Sequence, residues 1–75
     1  MTPKQFDIAH RSFCRRRSPF VKFLVEFTSG QQVLVLHPEA IRREGELYAM
    51  RSPDGANLVF AAESVTRLFD VAELV

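Results

Sequence analysis

The chain has one cysteine, three glycines, one tyrosine and no tryptophan among its 75 residues. The single cysteine, Cys14, excludes an intramolecular disulfide and leaves a zinc site without enough soft ligands, so we expect a reduced, cytoplasmic protein. Three glycines are too few for a phosphate-binding loop or a dinucleotide fingerprint, and we expect no cofactor. No apolar run reaches the roughly 18 residues that a membrane helix needs, and the N-terminus is polar where a signal peptide is apolar. We therefore expect no contact with a membrane.

What the chain does have is a generous apolar content, since 47% of its residues are apolar and seven are Phe. Its length accommodates one domain, residues 1–75, which hides only about 60% of its unfolded surface on folding. The composition is compatible with an exposed apolar edge or face. Self-association would cover such a surface.

Charge is spread unevenly, although the net charge is only +1. Residues 1–22 carry six basic side chains against Asp7, whereas residues 23–75 carry four basic side chains against eight acidic ones. The basic end therefore suits either an anion or the acidic face of a neighbouring copy.

The first residues carry the signals of a helix start. Thr2 is placed to cap the helix, Pro3 occupies its first position, and Gln5 is placed to complete a capping box. Apolar residues then recur at helical spacing, with His10 beside them, at Phe6, Ala9 and Phe13. The pattern predicts a helix over residues 3–15, within an N-terminal segment of residues 1–17.

Three consecutive arginines, Arg15, Arg16 and Arg17, stand at the predicted end of this helix. Cations are favoured there by the helix dipole, so a solvated helix end is one interpretation. The other is an anion-binding or nucleic-acid-binding patch, for which these three arginines are the candidate residues.

Residues 19–39 read as two apolar strands joined by a turn. In the first strand, alternate residues Val21, Phe23, Val25 and Phe27 fall on one face, which is typical of a half-buried strand. Ser29 and Gly30 predict a two-residue hairpin turn, because glycine supplies the positive φ that such turns need. The second strand, Val33 to Leu36, is apolar at every position. It therefore suits a central strand buried on both faces, or a bent one.

The rest of the chain predicts three further strands. Residues 38–44 read as a turn or short helical excursion ended by Gly45, and strands are expected over residues 46–52, 58–60 and 65–71. Pro53, Asp54 and Gly55 predict a type I turn followed by a left-handed glycine, and residues 62–64 a 3₁₀ turn. We expect a mainly β (α+β) domain: a helix, then a strongly bent, five-stranded SH3-like or Sm-like small barrel over residues 19–71, and a tail over residues 72–75.

Residues 18–39, SPFVKFLVEFTSGQQVLVLHPE, resemble a family of short, uncharacterised bacterial proteins with an RPFxPF, strand, DG, strand, HPE pattern. Pro19, Phe20 and Phe23 match its paired PF positions, Gly30 matches its turn, and His37, Pro38 and Glu39 match HPE. Ser18, Lys22 and Ser29 stand where the pattern has Arg, Pro and Asp. The resemblance implies the strand layout and carries no activity.

The element order is also similar to that of Sm-like proteins, among them the bacterial RNA chaperone of that class. This likeness implies ring assembly and RNA binding. The chaperone carries a Lys-His pair near its last turn, and the corresponding positions here hold Ala62 and Glu63.

No side-chain constellation in the sequence predicts catalysis. His37 lies close to Glu39, but no nucleophile accompanies them, so we interpret His37 as a structural turn residue. His10 has no second metal ligand in register, and Cys14 has no partner base. We expect a non-enzymatic binding or assembly module, a homo-oligomer or a partner of another protein. The alternative is an Sm-like RNA-binding or DNA-binding protein that uses the arginine cluster.

Overall fold

One helix and six strands make up the computed structural model, which describes residues 1–15 and 20–74. Their bounds are α1 Pro3–Arg15, β1 Phe23–Phe27, β2 Gln32–Val35, β3 Ile41–Glu44, β4 Leu47–Arg51, β5 Asn57–Phe60 and β6 Val65–Asp70. The strands form two antiparallel sheets, with the order β2-β1-β6 in sheet A and β3-β4-β5 in sheet B. The expected mainly β, α+β class is confirmed. The expected five strands are wrong in number, and the two described sheets do not close into one barrel.

The helix matches its prediction at both ends. The Gln5 amide donates to Thr2 Oγ1 at 3.1 Å, and the Thr2 amide donates to Gln5 Oε1 at 2.9 Å, so the capping box is present. Phe6 is fully buried, and its ring lies 4.5 Å from that of Tyr48 on β4 and 5.7 Å from that of Phe60 on β5. The apolar stripe therefore attaches the helix to the core.

The additional strand lies where a turn or helical excursion was expected. Within residues 38–44, a 3₁₀ turn covers only Pro38–Ala40, and β3 follows it, paired with β4 from Ile41↔Met50 to Glu44↔Leu47. Gly45 has a φ of 67° in the tight turn between these strands, so it is a hairpin glycine and does not end a helix. Ile41 is the one buried residue of β3, and the three residues after it are charged. The sequence of β3 therefore lacks the alternation of apolar and polar residues that predicts a strand.

The first hairpin forms where it was expected, with Phe23 opposite Val35 and Val25 opposite Val33; a two-residue turn would instead have placed Val25 opposite Leu34. Its turn is longer than predicted. The Gly30 amide donates to Phe27 O at 2.8 Å, and the Phe27 amide donates to Gln31 O at 2.8 Å, which makes residues 28–30 a three-residue loop. Gly30 takes its third position with a φ of 92°. Three-residue loops of this kind join a type I turn to a left-handed residue that forms a bulge.

The loop between β4 and β5 repeats this geometry and confirms its prediction. The Gly55 amide donates to Ser52 O and the Ser52 amide donates to Ala56 O, each at 2.9 Å. Asp54 Oδ1 accepts bonds from the Ser52 hydroxyl and the Ala56 amide. Pro53 and Gly55 thus act as the turn residues that the sequence indicated.

Strand β1 occupies the centre of sheet A, a position that the sequence pattern assigned to β2. Phe23, Leu24 and Val25 are all buried, whereas β2 lies at the edge and Leu36, just beyond it, is 49% exposed. The chain continues from β2 through the Pro38–Ala40 turn into β3, so it bends there from one sheet to the other. Of the two alternatives predicted for β2, the central strand is therefore wrong, and the change of direction lies after the strand, at Pro38–Ala40.

A polar clamp supplements the apolar contact between α1 and sheet B. The Tyr48 hydroxyl donates to Asp7 Oδ1 at 2.7 Å, and Arg43 NH1 lies 2.6 Å from Asp7 Oδ2. Arg43 Nε also donates to Gly45 O at 2.9 Å, which ties the clamp to the β3–β4 turn. Tyr48 is only 2% exposed, so its hydroxyl is held where water does not compete.

Candidate functional site

The arginine cluster falls only partly within the described residues. Arg15 is exposed at the last position of α1. Arg16 and Arg17 lie outside the described residues. The structure therefore places one of the three candidates, at the end of the helix where it was expected.

The structure places Cys14 beside the turn that holds His37 and Glu39, since the Cys14 thiol donates to Pro38 O at 3.9 Å. His37 and Glu39 are exposed, and His37 precedes the 3₁₀ turn with its backbone oxygen accepting the Ala40 amide at 3.1 Å. Burial raises the pKa of the Cys14 thiol, which favours its protonated, unreactive form. Within residues 1–15 and 20–74, no three His, Cys, Asp or Glu side chains are grouped to hold a metal ion.

His10 is a half-buried residue in the core layer and not at an open site. Its ring stacks on Phe6 with centroids 5.7 Å apart and lies 6.4 Å from the ring of Phe23. Its Nε2 atom is buried without a hydrogen-bond partner among the described residues. Burial lowers the pKa of His10, and the charge of Asp7 opposes this effect. The imidazole is therefore neutral near pH 7.

The strongest candidate surface is the free edge of β5, which pairs only with β4 among the described strands. Hydrogen-bonded and non-hydrogen-bonded residue pairs alternate along an antiparallel ladder. Because the Ser52 amide bonds Ala56 O at the loop, Leu58 and Phe60 bond to β4. The backbone N–H and C=O groups of Asn57 and Val59 then point away from the sheet, where a further strand can pair.

The side chains of this edge are uncharged and partly apolar. Val59 is 67% exposed and lies opposite Ala49 on the outer face of sheet B, where Leu47 is 45% exposed. Proteins usually protect edge strands with lysine, proline or a bulge, and residues 57–60 contain none of these. The β5 edge therefore has the features of a strand-pairing surface.

A groove lies beside the β5 edge. Its volume is about 270 Å³, and one wall is formed by β5 itself. The ring of Phe27 packs edge-on against that of Phe60 at 5.1 Å across the base of the groove. The polar residues around it are uncharged, and they are Thr28, Ser29, Gln31 and Ser64. An extended segment with alternating apolar and polar side chains fits such a lining.

Sequence reasoning predicted a strand over Leu58, Val59 and Phe60 but not its position in the sheet, and so missed this surface. Alternation indicates which side chains face inward, but not whether a strand lies at the centre or the edge of its sheet. Most of the Phe residues contribute no exposed apolar surface, because Phe6, Phe23, Phe60 and Phe69 are buried.

No helix within residues 1–15 and 20–74 has the length and apolar content to cross a bilayer. Comparison with known proteins finds no protein-family model, no curated protein and no solved structure that matches this chain. The functional assignment therefore rests on the geometry of the β5 edge.

Proposed function

We propose that this protein is a non-catalytic assembly module that self-associates by pairing the free edge of β5 with a strand of a second copy. The observation that carries the proposal is Val59, whose side chain is 67% exposed and whose backbone groups point away from β4. An added strand would pair those groups and cover part of the apolar surface that Val59, Ala49 and Leu47 form on the outer face of sheet B.

A second copy supplies a suitable strand. Strand β6 is one candidate, because it pairs only with β1 among the described strands and so has a free edge, as β2 and β3 also do. Pairing β5 with β6 of the next copy is a head-to-tail contact that generates a ring or a filament, whereas pairing β5 with its own equivalent produces a two-fold dimer. The measured mass separates these two arrangements.

The proposal also interprets the two sheets as halves of an open small barrel of the SH3-like or Sm-like kind. Supporting this, the chain passes directly from β2 through Pro38–Ala40 into β3, and β5 and β6 are then the first and last strands of the curved array. Most buried residues of the two sheets belong to one apolar cluster, which includes Phe23 and Val35 from sheet A and Tyr48 and Phe60 from sheet B.

Light scattering coupled to size-exclusion chromatography tests the proposal. We expect the wild-type chain to form an oligomer, and Val59→Lys to be a folded monomer because the exposed side chain contributes little to the core. Leu36→Lys is the matched control, since Leu36 is an exposed apolar residue outside the β5 edge. Val59→Pro removes the outward N–H while leaving the bonds of Leu58 and Phe60 to β4. A wild-type monomer, or an oligomer that both Val59 variants preserve, would refute the proposal.

Salt distinguishes strand pairing from attraction between the basic and acidic parts of two copies. The groove and edge are uncharged, so we expect the oligomer to persist at high ionic strength. Assembly through opposite charges would weaken as salt is added, because exposed charges are screened over about 8–10 Å at physiological ionic strength.

A further inference from the structure

The exposed side of α1 carries a cationic stripe, defined as Lys4, Arg11 and Arg15 together with Ile8. In chain order, Lys4, Ile8, Arg11 and Arg15 stand at positions i, i+4, i+7 and i+11. This spacing brings them onto one face of the helix. All four are exposed, and Ile8 is 56% exposed. The stripe spans eleven residue steps, or about 16 Å along the helix axis.

The positive charges of the stripe are not neutralised within the part of the chain that the structure describes. Lys4, Arg11 and Arg15 form no ion pair with any residue of 1–15 or 20–74. Asp7 is the single acidic residue of α1, and it turns towards Arg43 and Tyr48. The charged side chains on the outward side of the helix are therefore all cationic.

We propose that this stripe binds the phosphate backbone of a nucleic acid without reading its sequence. A row of three unpaired cations matches a row of phosphates, and release of their counterions drives such binding. Apart from Ile8, the stripe offers no apolar group to contact a base, and Phe6 on the opposite side of the helix is buried. Contacts of this type position a protein on nucleic acid and carry no base specificity.

Two other anionic partners fit less well. A helix that lies in a membrane surface inserts an apolar face, but the apolar stripe of α1 packs into the core and leaves only Ile8 outside. The acidic surface of a second copy is also partly occupied, because Glu26 and Glu44 are paired with Arg67 and Arg42 of their own chain.

Fluorescence anisotropy with a labelled DNA duplex of mixed sequence tests the proposal. Three phosphate contacts predict a loss of affinity of roughly 40-fold between 50 mM and 200 mM salt. Lys4→Ala/Arg11→Ala should reduce the slope of log K against log salt by about 1.8, and Ile8→Lys should increase it by about 0.9. Circular dichroism of each variant confirms that α1 is retained.

The matched control is Arg42→Ala/Arg51→Ala, which removes two exposed arginines from sheet B. Both double variants change the net charge from +1 to −1, so a difference between them reports position and not total charge. We expect the control to keep the wild-type slope within about 0.5. The proposal is overturned if the duplex does not bind at 50 mM salt, if both double variants weaken binding equally, or if anionic lipid vesicles bind and the duplex does not.

Discussion

We predict that the protein loses stability at alkaline pH because Tyr48 ionises. The ionisation can be measured at Tyr48 itself. Its hydroxyl is buried and donates to Asp7 Oδ1 at 2.7 Å. Burial, followed by the bond to Asp7, raises the pKa of Tyr48 from 10.0 to about 12. The neutral phenol is thus favoured by folding. This stabilisation is complete below pH 10 and is lost as the pH rises towards 12. A shift of two pKa units corresponds to about 2.7 kcal/mol of unfolding free energy.

The assay uses the fact that the chain contains one tyrosine and no tryptophan. The ultraviolet absorbance of tyrosinate therefore reports Tyr48 alone, and urea unfolding over the same pH range reports stability. Tyr48→Phe should cost about 1.5–3 kcal/mol below pH 10, because it removes a hydrogen bond to a charged group. Tyr48→Phe should also abolish most of the loss of unfolding free energy above pH 10.

Lysine deprotonation affects the wild type and Tyr48→Phe equally. The difference between their unfolding free energies therefore excludes it. If Tyr48 titrates near pH 10 in the folded state, or if Tyr48→Phe and the wild type lose stability in parallel above that pH, the clamp between α1 and sheet B is not formed as described.

Two further predictions concern His10 and Gly30. Because burial lowers the pKa of His10 in the folded state, stability should be complete above about pH 6.5 and decline as the pH falls below it, and His10→Phe should flatten that decline in urea unfolding. Gly30 has a φ of 92°, and no other atom lies within 4 Å of the position that a Cβ would occupy there, so Gly30→Ala should cost about 1–2 kcal/mol through backbone strain alone. Gly30→Asn should cost less, since asparagine tolerates the left-handed region; equal losses would argue against a backbone cause.

Local signals in the sequence were sufficient for α1 and for the loop between β4 and β5. The Thr2 and Gln5 capping box, and Pro53 followed by Asp54 and Gly55, act through residues that are neighbours along the chain. Their geometry therefore depends little on the rest of the fold. The first hairpin was also predicted, but its register was not, because the loop is one residue longer than the turn that Ser29 and Gly30 indicated.

Strand β3 and the position of β2 were not predictable in the same way. Arg42, Arg43 and Glu44 have no alternation of apolar and polar residues, and they form a strand because β4 provides a pairing partner after Gly45. Likewise, β1 rather than β2 becomes the central strand because β6, distant in sequence, pairs with it from Phe23↔Asp70 onwards. Tertiary pairing decides both features.

The candidate site was not predictable from the sequence either, because it also depends on which strands pair in the folded chain. Val59 is an ordinary apolar residue in the sequence, and it becomes a candidate for assembly only because β5 lies at an edge of sheet B. The arginine cluster was visible because three like charges adjoin one another. The contributions of Lys4 and Arg11 required the orientation of α1, which the burial of Phe6 establishes.

Hydrogen exchange at the β5 amides tests strand pairing most directly. Leu58 and Phe60 bond to β4 within one chain, so their amides should be protected at every protein concentration. The Val59 amide points outward, and we predict that its exchange slows as the protein concentration rises and the oligomer forms. If Val59 exchanges at the rate of an open amide in solutions where light scattering detects the oligomer, the copies do not assemble through β5.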